Sequence, residues 1–134
     1  MHKILVTEKV LIAEDNLAMS AILSNKLKAE GFEVTTAENG QEALDHLKTE
    51  QFNLLLMDLT MPDFDGFQLL ERIQKEQMHI PIIVMSSLSQ PEDKVRAMSL
   101  GANKFIVKTE VTPNVIVKEI EETIATMARI PPKS

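Results

Sequence analysis

Two kinds of segment alternate along this chain of 134 residues. Five short apolar runs recur: VLIA at 10–13, FEVTTA at 32–37, FNLLLM at 52–57, IPIIVM at 80–85 and KFIVK at 104–108. Runs this short, rich in Val, Ile, Leu and Phe and without strict polar alternation, predict strands buried on both faces of a parallel sheet. FEVTTA is the most polar and suits an edge. Between the runs, apolar positions return with a helical period. Over 17–31 this puts Ile22, Leu23 and Leu27 on one stripe, with Gly31 where a C-terminal cap belongs. Over 39–50 it groups Ala43, Leu44 and Leu47, and over 67–77 Leu69, Leu70 and Ile73. PEDKVRAMSLG (91–101) opens with proline and acids and closes with glycine, the usual helix asymmetry. In 112–127 Thr112 takes the N-cap, Pro113 the first helical position, and Ile116, Ile120 and Ile124 share a face. A β-α unit repeated five times predicts an α/β fold, a parallel sheet with right-handed crossovers and helices on both faces.

The chain reads as one domain over 1–134, with a core at about 9–128 and flanking segments at 1–8 and 129–134. Residues 1–8 precede or extend the first strand, and PPKS (131–134) reads as a tail or the start of a linker. This length can bury a core without staples. The absence of cysteine excludes disulfides and thiolate metal sites. A net charge of −6 without a Lys/Arg cluster argues against direct nucleic-acid binding, and the lack of Tyr and Trp removes the usual stacking platforms. No apolar run approaches the ~20 residues of a membrane span. Thr7, Glu8 and Lys9 interrupt the first segment before a signal-peptide core can form. The expectation is a soluble, cytoplasmic protein with no membrane insertion. The eight methionines are scattered and read as core filler. His2, His46 and His79 carry no pattern, and His46 reads as a solvated helix residue.

The stretch FNLLLMDLTMPDFDG (52–66) changes the picture, because its apolar run ends in Asp58. A lone carboxylate beside a core is costly. In open parallel sheets ligands bind beyond the carboxyl ends of the strands. Glu14 and Asp15 follow the first run, Asp58 the third, Ser86 and Ser87 the fourth, and Lys108 ends the fifth. If the first and third strands are neighbours, three carboxylates share one crevice. They would repel one another unless a cation bound. Hard oxygen donors in a small wet site suit Mg²⁺, which often shares its shell with phosphate. A lysine and a hydroxyl opposite would hold an anion's oxygens, and an aspartate can serve as nucleophile to form an aspartyl phosphate. Singly, each residue has a plainer explanation: a strand-to-helix cap at Glu14-Asp15, a turn from Asp58 to Pro62, a loop hydroxyl at Ser86, a surface lysine at Lys108. Their joint placement at four strand ends favours the chemical reading.

The motifs LIAEDN, LLLMDLTMPDFDG, IIVMSS and GANKFIVK, in this order and spacing, resemble a response-regulator receiver domain of two-component signalling over about residues 9–128. The resemblance implies a flavodoxin-like, doubly wound five-stranded sheet in the order 2-1-3-4-5 with five helices. It implies that Asp58 accepts a phosphoryl group from the phosphohistidine of a histidine kinase or phosphotransfer protein. Asp15, Asp58 and the backbone carbonyl of Thr60 would ligate Mg²⁺, and Glu14 would act through metal-bound water. Ser86 would be the switch hydroxyl, Lys108 the phosphoryl partner and Phe105 the switch aromatic. Phosphorylation adds charge and acceptor oxygens. Ser86 would move toward them and Phe105 turn inward. The surface of the fourth helix, fifth strand and fifth helix, near Met98, Phe105, Val107 and Val111, would then change for a downstream protein target. Thr60 and Leu88 occupy positions that tune phosphoryl lifetime.

One departure stands out: the family usually has proline after this lysine, where this chain has Thr109. A cis bond there would cost about 3–4 kcal/mol, so the loop geometry is left open between cis and trans. Competing readings are a pseudo-receiver that binds partners without phosphorylation, and an aspartate-nucleophile phosphatase. The second usually needs an acid at position 60. No GxGxxG or P-loop follows the first run, which argues against a nucleotide fold. The sequence is compatible with a stand-alone regulator and with a receiver from a larger protein.

Overall fold

Each apolar run pairs into one parallel sheet in this computed structural model, which describes residues 7–61, 64–87 and 90–128. The strands are β1 (Lys9–Ala13), β2 (Glu33–Ala37), β3 (Leu54–Asp58), β4 (Ile82–Ser86) and β5 (Lys104–Val107). The helices are α1 (Leu17–Ala29), α2 (Gly40–Thr49), α3 (Gly66–Lys75), α4 (Pro91–Ser99) and α5 (Pro113–Ala128). The strand order is β2-β1-β3-β4-β5. β1, β3 and β4 are buried along almost their whole length, as their unbroken apolar runs require. The polar β2 lies at one edge.

Two apolar layers flank the sheet. On one face Val10, Ile12, Leu54, Leu56 and Ile83 pack with Leu23 and Leu27 of α1 and Ile116, Ile120 and Ile124 of α5. On the other, Leu11, Leu55, Met57 and Val84 pack with Ala43 and Leu44 of α2, Leu69, Leu70 and Ile73 of α3, and Ala97 of α4. Adjacent positions of a strand point to opposite faces, so β1 and β3 feed both layers alternately.

Side-chain caps start four of the helices, α1, α2, α3 and α5. The side chains of Asn16, Asn39 and Asp65 accept from the backbone N–H groups of Met19, Glu42 and Gln68. Asp65 and Gln68 complete a capping box. Thr112 Oγ1 accepts from Val115 N at 3.4 Å. Gly31, past the end of α1, has φ +99°, the left-handed conformation that glycine adopts without cost.

The expected stripe on α1 needs correcting: Leu23 and Leu27 are buried, but Ile22 is 45% exposed. The buried face is completed by Ser20 and Ser24, and Ile22, two positions after Ser20, falls on the far side of the helix. Two serines disguised the inner face, and one isoleucine advertised the outer one. A boundary also shifts: β5 stops at Val107, and Lys108 opens a single 3-10 turn, Lys108–Glu110. Among the described residues no peptide bond is cis, so Lys108–Thr109 is trans. None of the helices, as far as described, is long and apolar enough to cross a membrane. The expectations placed on residues 1–6, including His2, on Pro62 and Leu88, and on the tail at 129–134 lie outside the described residues.

Candidate phosphoacceptor site

Strand order builds the site. β1 lies beside β3, in register from Val10↔Leu54 to Ala13↔Met57. The next residue of each chain segment, Glu14 and Asp58, therefore emerges at the same end of the sheet. β4 adds Ser86, one place beyond Met85, the partner of Asp58. β5 ends alongside it, with Val107 opposite Ser86, and delivers Lys108. Glu14, Asp58 and Ser86 are buried, whereas Asp15 is exposed at the mouth.

Lys108 ties the site together. Its Nζ donates to Asp58 Oδ2 at 2.7 Å and to Glu14 Oε1 at 2.7 Å. The remaining carboxylate oxygens are held by backbone: Asp58 Oδ1 accepts from Thr60 N at 2.9 Å, and Glu14 Oε2 from Asn16 N at 3.0 Å. Gly66, the first residue of α3, closes the wall behind Asp58. Its N–H donates to Leu59 O at 2.9 Å. A Cβ there would lie 2.6 Å from Leu59 Cα and 3.0 Å from Asp58 O, so the close approach requires glycine.

The electrostatics follow from burial and crowding. Burial pushes the Glu14 carboxyl above its ordinary range, and the neighbouring Asp58 charge adds to this. The hydrogen bonds from Lys108 and Asn16 oppose it without cancelling it. For Lys108 burial acts to lower the pKa, but the hydrogen bonds to Asp58 and Glu14 outweigh it, and the ammonium is held above its ordinary value. One ammonium cannot neutralise three carboxylates. Glu14, Asp15 and Asp58 each bring an oxygen within 4.8 Å of the others. All donors are hard oxygens, and Asp15 opens to water, a donor set that fits Mg²⁺.

The geometry brings together Glu14, Asp15, Asp58, Ser86 and Lys108, and places Thr60 on Asp58 through its N–H. Phe105 stands apart. It is half-buried on β5, packed against the layer that holds α4, and lines a groove of about 510 Å³ with Pro91, Lys94 and Val115. Two features escaped the sequence reading. The lysine bridges Glu14 as well as Asp58, a contact between residues 94 apart with no local signature. The close approach of Gly66 to Leu59 likewise has no signature along the chain beyond a glycine directly before an apolar helix.

Residues 10–121 match the family described as response regulator receiver domain. A probable transcriptional regulator, ycf27, of Porphyridium aerugineum is 36% identical over 122 residues, covering 91% of this chain and 48% of that protein. The chain spans about half the length of the curated relatives it matches. Among solved structures, a CheY-like receiver domain protein from Methanospirillum hungatei JF-1 superposes with a TM-score of 0.86. It is 29% identical, over 92% of this chain and 98% of that one. The receiver domain of a signal transduction histidine kinase from Syntrophus aciditrophicus superposes with a TM-score of 0.81, at 27% identity over 96% and 98% of the two chains.

Proposed function

The chain belongs to the response regulator receiver domain family, and from that premise we propose that Asp58 accepts a phosphoryl group in a Mg²⁺-dependent reaction with the phosphohistidine of a histidine kinase or phosphotransfer protein. Receiver domains are signalling modules rather than metabolic enzymes, and histidine kinases are their partners. A carboxylate oxygen of Asp58 attacks phosphorus, the P–N bond to the donor imidazole breaks, and its electron pair returns to the ring nitrogen. The product is an acyl phosphate on Asp58.

Asp15, Asp58 and the backbone carbonyl of Thr60 would hold Mg²⁺ directly, with Glu14 acting through a bound water. The ion would supply positive charge to the phosphoryl oxygens. Lys108 would complement it from the other side. Its ammonium already sits 2.7 Å from Asp58 Oδ2 and can transfer its hydrogen bond to a phosphoryl oxygen. It would thereby stabilise charge that builds up in transfer. The Ser86 hydroxyl, on the neighbouring strand, would take another oxygen. Its movement would leave room for Phe105 to turn inward and alter the surface of α4, β5 and α5 toward a downstream protein target. That gives the module a partner-binding surface set by phosphorylation.

The observation that carries this reading is the single ammonium bridging Asp58 and Glu14 inside a cluster of three carboxylates. A nucleophile, an electrostatic clamp and cation donors thus share one pocket. The test is incubation with Mg²⁺ and acetyl phosphate, read by intact mass and amide NMR beside Asp58→Ala. One phosphoryl adduct, absent in the variant and accompanied by shifts reaching Phe105 and α5, is expected. No adduct and no Mg²⁺-dependent shift would replace this reading with a pseudo-receiver.

A further inference from the structure

Among the helices, α4 has little of its own to hold it. Ala97 is its one buried side chain, and Gln90 at its N-cap makes no side-chain hydrogen bond to it. Val95 and Met98 are 68% and 40% exposed. α3 beside it is firmly seated by Leu69, Leu70 and Ile73 and by its capping box. Beside the buried Ala97, a longer side chain reaches from α4 to α3. The Arg96 guanidinium carbon lies 4.1 Å from the centroid of the Phe67 ring, and its Nη2 lies 3.9 Å from Glu71 Oε2. Phe67 and Glu71 are four apart on α3 and so share a face.

Phe67 is itself tied to the site. It follows Gly66, whose N–H donates to Leu59 O and which stands so near the end of β3 that an added Cβ would lie 3.0 Å from Asp58 O. A continuous packed path therefore runs from the end of β3 through Leu59, Gly66 and Phe67 to Arg96 on α4. It uses neither Ser86 nor Phe105.

We propose that Arg96 is a positioning residue, a latch that clamps α4 onto α3 and sets how often α4 leaves its resting place. The ring stack rather than the ion pair carries the clamp. Both charged side chains are more than half exposed, where an ion pair is screened by water and contributes little. A guanidinium held 4.1 Å over the centroid of an aromatic ring keeps its attraction there. Displacement of Leu59 or Gly66 would reach α4 through this contact as a change in population of its docked and undocked states.

The test is amide hydrogen exchange on the full, metal-free, unphosphorylated chain, so its result is separate from the chemistry of Asp58. Arg96→Ala and Phe67→Leu are each expected to speed exchange across residues 94–100 by about twofold to fivefold, the change that an exposed cation–π contact supports. The amides of α1 and α2 should stay unchanged. Glu71→Gln should leave α4 within about twofold of the wild type, and Arg96→Lys, which keeps charge over the ring, should restore part of the protection. The double variant should exchange no faster than either single one, since both remove one contact. Unchanged α4 exchange in Arg96→Ala overturns the latch. So does an equal rise in every helix, which would mark general destabilisation, or fully additive effects in the double variant.

Discussion

Lys108 Nζ lies 2.7 Å from Asp58 Oδ2 across a sequence separation of 50 residues. Only 12% of the Lys108 side chain and 5% of that of Asp58 are exposed. Removing the ammonium would strand two carboxylates in a tight space. Breaking a buried pair costs about 3–5 kcal/mol, and the open mouth of this site lowers that figure. Lys108→Ala should lose about 2–3 kcal/mol in metal-free urea unfolding. Added Mg²⁺ should return part of that loss. If the metal-free midpoint stayed put, the ion pair would have no structural weight.

Crowded carboxylates should respond oppositely. Asp15 is exposed and stands with Glu14 and Asp58, so Asp15→Asn relieves repulsion without exposing new apolar surface. It should stabilise the metal-free chain by about 0.5–1 kcal/mol. In the wild type, Mg²⁺ at a hundredfold excess over its dissociation constant should add about 2.7 kcal/mol, and Asp15→Asn should lose most of this. Thermal unfolding with and without the ion separates the two effects. Equal Mg²⁺ stabilisation of both proteins would exclude Asp15 from the cation site.

Glu14 supplies a pH signature. Its folded pKa is raised above 4.5, chiefly by burial. Between 4.5 and that raised value the folded chain keeps a proton that the unfolded chain has released. Stability contributed by this group must therefore fall as pH rises through that window. Other carboxylates titrate there too, so the measurement is the difference in urea midpoint between wild type and Glu14→Gln from about pH 4 to about pH 8. The variant should gain on the wild type as pH rises. Lys108 repeats the pattern at the alkaline end. Its pKa is raised, so its stabilisation is fully present below 10.5 and is lost as pH rises from there through the raised folded value.

Gly66 offers a test of geometry. A methyl group there would sit 2.6 Å from Leu59 Cα, a contact that backbone must move to relieve. Gly66→Ala should cost about 2–3 kcal/mol despite its better helix propensity. It should also shift the amide resonance of Thr60, whose N–H holds Asp58 Oδ1. An Ala variant as stable as the wild type would mean that α3 can back away from the site freely.

Much of this was open to reading along the chain. The strands announced themselves because β1, β3 and β4 are covered on both faces and so carry unbroken apolar runs. Thr112 marked a helix start, and the structure adds Asn16, Asn39 and Asp65, whose bonds also span three residues and need no distant partner. Asp58 stood out because a carboxylate ending a buried strand needs an explanation. Where two properties conflicted, reading failed: Ser20 and Ser24 face inward and Ile22 outward, since close packing between α1 and its neighbours selects small side chains regardless of polarity.

Local patterns thus specified the elements, their order and the residue types at each strand end. By themselves they did not specify which ends meet; the strand order 2-1-3-4-5 came only from the family resemblance. The placement of β1 beside β3, the reach of Lys108 to Glu14 as well as Asp58, the fit of Gly66 against Leu59 and the stacking of Arg96 on Phe67 all join segments far apart in the chain. Such contacts follow from how the layers pack, and side-chain packing at a distance leaves no periodic trace in the chain that encodes it.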